Sequence, residues 1–135
     1  MSILKSTVAA FALALSAVSF TAHAGDGVLI ETVSGTWRTP ANVERDKHRK
    51  PIEALTFWGW KPGMTILELS PGGGWWTEIL APYARITKGR YITTGADLGN
   101  PELSQAARDA RANFEKRFAD QAIYGQVTVV NFGLK

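Results

Sequence analysis

The sequence predicts an α/β fold: a parallel sheet with flanking helices, of which only a β-α-β-α-β half is present. Three observations carry this. A short apolar run at residues 64–69 (MTILEL) closes on three glycines, helical spacing resumes at residues 75–83, and strand-like runs recur at 91–94 (YITT) and 127–132 (VTVVNF), with an amphipathic stretch between them. Strands alternating with helices of this size imply parallel pairing through helical crossovers.

Taken in order, the chain opens with Lys5, the apolar run VAAFALALSAVSF and Ala22-His23-Ala24. This is a secretory signal pattern with cleavage after Ala24, and the run is shorter than the roughly 20 residues a membrane span needs. Residues 25–135 are then expected as one incomplete domain of about 110 residues, periplasmic or secreted, with no membrane contact after cleavage. A polar segment follows. Residues 39–60 (TPANVERDKHRKPIEALTFWGW) read as one or two short helices, with Pro51 in a first turn and Gly59 as a stop. Ile52, Leu55 and either Phe57 or Trp58 would form the buried side. Lys61-Pro62-Gly63 makes a turn into the first strand, residues 64–69. The helix at 75–83 should end or kink at Pro82, which lacks an N–H and crowds the previous turn. After the second strand, Gly95-Ala96-Asp97 leads to a helix over residues 101–118 with Leu103, Ala107, Ala110, Phe114 and Phe118 on one side. The third strand ends the pattern.

Composition excludes several classes. With no cysteine there is neither a disulfide framework nor a thiolate metal site, and His48 is the only histidine after the signal segment, so no metal centre is expected. Fifteen Lys+Arg against 12 Asp+Glu give a net charge of +3, too small an excess to argue for nucleic acid.

The informative stretch is residues 68–80, ELSPGGGWWTEIL. A glycine turn from a strand into a helix lets a ligand approach bare amides closely. A P-loop is excluded because no Lys-Ser or Lys-Thr follows at the required spacing. A dinucleotide fingerprint would need its third glycine at Thr77, and a nucleophile elbow would need glycine where Glu68 stands. Glu68 also opposes a pyrophosphate by like-charge repulsion. A cationic or zwitterionic ligand reverses that sign.

These residues resemble motif I of class I S-adenosylmethionine (SAM)-dependent methyltransferases: Glu68 on the acidic position, Gly72 and Gly74 on the second and third loop glycines, Ser70 in place of the first. More narrowly, RDKHRKP, KPGMTILEL, SPGGGWWTEILAPY and RYITTGAD resemble a group of exported bacterial proteins classed as predicted methyltransferases. The likeness covers residues 37–97 well and the rest loosely. It implies a Rossmann-like domain and SAM as cofactor, with Ser70, Gly72, Gly73 and Gly74 around its methionine portion and Glu68 toward its amino group, directly or through water. In the family an acid at the end of the second strand binds the ribose; Gly95 occupies that place, and Asp97, two residues on, is the nearest candidate. Catalytic residues and the methyl acceptor are not indicated.

Each of these residues also has a plainer reading. Glu68 could cap loop amides, and Asp97 could serve a turn before Asn100-Pro101. Trp75 and Trp76 are read as packing residues, the functional version being an indole that covers a bound ligand. The basic run with Arg38, Arg45, Lys47, His48, Arg49 and Lys50 is read as a solvated face, its functional version being Arg45 or Arg49 on a substrate carboxylate or over the cofactor pocket. The family's later strands, which carry the acceptor site, have no counterpart, so the chain is expected to be truncated and its first strand to become a sheet edge prone to self-association. Two other readings stand beside this one: a non-catalytic small-ligand-binding module, and a structural protein pairing through that edge.

Overall fold

The computed structural model describes residues 24–133. The segment read as a signal peptide lies, but for Ala24, outside them. The stretch expected as polar chain forms helix α1, Ala24–Val33. Gly25 and Gly27 lower its helix propensity and hid it, but Leu29 is buried and Val28 and Val33 pack beside it against the core. Tertiary burial overrides the local preference.

Three short helices follow where one or two were expected: α2 (Pro40–Val43), α3 (Asp46–Arg49) and α4 (Pro51–Phe57). The break between α3 and α4 falls at Lys50, which takes a left-handed φ of 46°. Pro51 opens α4 at its first turn, and Gly59, at φ 71°, follows its end. The expected buried side of α4 is corrected. Leu55 is fully buried, but Ile52 sits at the surface, Phe57 is 87% exposed and Trp58 58%. Phe57 lies two residues past Leu55 and so points to the opposite side of the helix. Trp58, just past the helix, turns onto Trp76 with ring centroids 5.5 Å apart.

The sheet holds β1 (Thr65–Glu68), β2 (Arg90–Ala96) and β3 (Val127–Phe132), all parallel and in the order β1-β2-β3. Between β1 and β2 runs α5 (Thr77–Ile86); between β2 and β3 run α6 (Gln105–Arg117) and the short α7 (Gln121–Tyr124), whose N-cap Asp120 accepts from the Ala122 amide. Pro82 neither ends nor breaks α5. The carbonyl of Glu78, four residues back, has no Pro82 N–H to accept, and the Trp37 indole N–H donates to it instead at 2.9 Å. Helix α6 starts later than expected, after the N-cap Ser104, whose hydroxyl accepts from the Ala107 amide. Phe118 is buried and Phe114 half-buried, but Ala110 is exposed, because Ala107 and Ala110 line an open cavity rather than the core.

Both long crossover helices stand on one face of the sheet. Register places Glu68 beside Thr93, in line with Tyr91, and the Glu68–Tyr91 pair meets Thr77 of α5; Gly95, on the same face, lies under Arg111 of α6. On the opposite face Leu67 is 59% exposed, Phe132 61% and Val130 40%. The core, with Leu55, Ile66, Ile79, Tyr83, Tyr91 and Phe118, lies on the helix side.

Candidate functional site

The site is built at the carboxyl end of β1, where residues 69–76 turn from strand into α5. Ser70 takes a positive φ of 54°, and its amide donates to Thr94 Oγ1 on β2 at 2.8 Å, fixing the loop to the neighbouring strand. The three glycines have different reasons. Gly74 has φ 75°, and a Cβ there would lie 2.4 Å from the Phe118 ring, so the fold itself forbids a side chain. Gly72 needs its positive φ of 54°. Gly73 has neither constraint: its φ is ordinary and nothing lies within 4 Å of an added Cβ. Among the described residues the N–H groups of Gly72 and Gly73 have no acceptor, while the Gly73 carbonyl is held by Arg117 at 2.8 Å. Gly73 is therefore the glycine whose bareness only an approaching ligand would use.

Glu68 belongs to the same cavity of about 240 Å³, together with Ser70, Gly72, Gly73, Trp75, Trp76, Arg45 and Arg49. One of its oxygens, Oε2, accepts from both the Tyr91 hydroxyl and the Thr77 hydroxyl, the latter at 3.1 Å; the other, Oε1, takes no hydrogen bond among the described residues. The carboxylate thus accepts from two hydroxyls rather than from the loop amides, and its other oxygen is left without a partner among the described residues. Burial raises its pKa above the ordinary value, against the opposing pull of the Tyr91 and Thr77 hydrogen bonds. Burial, and then the charge of Glu68, pushes the Tyr91 phenol far up, so it stays a donor to the carboxylate.

A second cavity, about 280 Å³, lies across Ser70, Pro71 and Gly72 from the first and is lined largely by apolar groups, Phe114, Val129 and Phe132 among them. Gly95 sits at its floor on β2. A Cβ at Gly95 would come within 2.9 Å of Arg111 and Val129, because the Arg111 side chain fills that space. Arg111 is fully committed there, donating to the Ala96 and Val129 carbonyls, Asn131 and Glu115. Asp97 lines neither cavity; its Oδ1 accepts the Gly99 amide at 2.9 Å in a turn. The structure thus brings Glu68, Ser70, Gly72 and Gly73 together around one space, with Gly74 behind them and Asp97 apart.

The basic segment divides. Arg38 is buried, pairs with Asp46 at 2.5 Å and donates to the Val33 carbonyl, so it is an internal brace. Lys47 pairs with Glu44 at the surface. Arg45 and Arg49 are exposed, line the Glu68 cavity and join no ion pair among the described residues; Arg49 stacks 4.8 Å from the Trp75 ring. Trp75 is buried, and its indole N–H donates to the Asn42 carbonyl and Asp46, yet it also lines the cavity. Sequence reasoning missed the brace behind the loop. Glu78, fully buried, accepts from Arg117 and from the Thr39 amide and hydroxyl, with Arg38 Nε 3.9 Å from its other oxygen. An acidic residue inside the apolar run of α5 was the available signal.

Among the described residues no cluster of three or more His, Asp or Glu comes together as a metal site, and no helix is long and apolar enough to cross a membrane. Comparison with protein-family models, with curated proteins and with solved structures returns no match.

Proposed function

We propose that the chain is an exported SAM-dependent methyltransferase-like protein carrying half of a Rossmann-like domain. The observation that carries this reading is the cavity where a carboxylate with one unpaired oxygen meets the free amides of Gly72 and Gly73. That combination suits a zwitterionic ligand, with Glu68 toward its positive centre and the amides toward its negative one. The residues fit the cofactor further: the apolar cavity across Ser70–Gly72 offers Phe114 and Phe132 as surfaces for a nucleoside base, while the polar cavity takes the amino-acid end. Glu68 would hold the ammonium, and the loop amides the polar end of the methionine portion. When bound, SAM would supply a methyl group on its sulfonium for transfer to an acceptor nucleophile, leaving a thioether.

A second reading, a non-catalytic small-ligand module, is favoured by one observation. The place of the ribose-binding acid is Gly95, closed over by Arg111. Calorimetry with SAM, S-adenosylhomocysteine and methyl-acceptor mixtures separates the two: a methyltransferase binds the first two and turns over with an acceptor, whereas a binding module shows no methyl transfer. Tighter binding of NAD than of SAM would overturn the first reading.

A further inference from the structure

We infer that the rim of the Glu68 cavity is the acceptor site, and that it takes a planar aromatic molecule bearing a carboxylate. This names the acceptor class for the methyl-transfer reading and rests on it. Arg45 and Arg49 are exposed guanidiniums without carboxylate partners among the described residues, and both line the cavity. With Glu68 the one carboxylate in the same lining, the two guanidiniums leave the rim positive, and a guanidinium matches a carboxylate with paired N–H donors. Arg49 is held in place by its stack on Trp75, 4.8 Å from the ring, so less side-chain freedom is lost when it binds.

Part of the rim is apolar. Trp76 lines the cavity and packs against Trp58, which is 58% exposed; Leu69, 61% exposed, lines the other part. Indole faces of this kind stack on planar rings. The exposure of Arg45, Arg49 and Leu69 puts this surface where a second molecule arrives from solvent, while the loop amides and Glu68 line the same cavity for the donor.

The test titrates the full chain with benzoate, benzyl alcohol and benzylammonium, with and without saturating S-adenosylhomocysteine, and repeats this on the Arg45→Ala/Arg49→Ala and Arg45→Lys variants after their near-UV circular dichroism is compared with the parent. Benzoate is expected to bind tightest, the double variant to lose about tenfold or more, and Arg45→Lys to lose less. Benzylammonium binding as tightly as benzoate, or unchanged benzoate affinity in a folded double variant, would overturn the inference. If the double variant loses S-adenosylhomocysteine but keeps benzoate, the arginines serve the donor's own carboxylate and the inference falls. If S-adenosylhomocysteine binds and benzoate does not, the inference falls while the donor reading stands; benzoate binding without S-adenosylhomocysteine removes the donor reading and with it the acceptor role, leaving only an anion site.

Discussion

Gly73 and Gly74 stand side by side and separate binding from folding. Gly74→Ala forces a Cβ into the Phe118 ring at a left-handed φ and is expected to destabilise the fold by about 3 kcal/mol or more, read as a lowered denaturation midpoint. Gly73→Ala meets open space, so its stability is expected to stay within about 0.5 kcal/mol of the parent while SAM binding weakens. Glu68 gives a pH signature. Its pKa is raised above 4.5, so its proton-bound form is favoured by folding: that contribution is present below 4.5 and is lost as pH rises through the raised value. On the proposed reading SAM binding runs the other way, using the ionised carboxylate, and should weaken as pH falls through the same window. Glu68→Gln is expected to flatten both profiles and to weaken SAM at neutral pH by about tenfold to a hundredfold, the worth of a charge-assisted hydrogen bond. That Glu68 and the glycines meet where a strand turns into a helix was legible from residue type and spacing. Their separate roles were not, because the Phe118 contact and the Tyr91 and Thr77 partners come from positions far along the chain.

At the scale of elements, α5 illustrates how a sequence rule is overridden. Pro82 removes one helical hydrogen bond, yet the helix runs on to Ile86 because Trp37 supplies a donor to the stranded Glu78 carbonyl. Trp37→Phe should therefore leave that carbonyl buried and unpaired, at a cost of about 1–3 kcal/mol measurable by urea denaturation. The Glu78 side chain ties α5 to α6 through Arg117 and to the N-terminal segment through Thr39. Glu78→Ala should cost about 3 kcal/mol or more, since it strands charged partners, and should also loosen the loop that Arg117 holds at Gly73. The strands were legible because apolar runs bounded by glycine and proline have few other readings. Helix α1 was not, since its glycines speak against a helix and only the docking of Leu29 and Val33 against the core decides for it.

At the scale of the molecule, the parallel pairing of the strands follows from the alternation of strand and helix read in the sequence, while the order β1-β2-β3 is seen only in the structure. Parallel sheets are ordinarily covered on both faces. Here Leu67, Val130 and Phe132 stay exposed, and β1 pairs only with β2 among the described residues. Such a face and edge favour association at high concentration. Sedimentation is expected to show concentration-dependent oligomers, and Leu67→Lys, which adds charge to the exposed face, should reduce them without lowering the thermal midpoint; a Leu67→Lys profile identical to the parent would place the association elsewhere. The charge logic of the site, a carboxylate beside bare amides, leads to one decisive comparison. Parallel calorimetric titrations of the chain with SAM and with NAD are predicted to show binding of SAM, weakened by Glu68→Gln, and none of NAD. Saturable NAD binding that Glu68→Gln strengthens, with no SAM binding, would contradict the account.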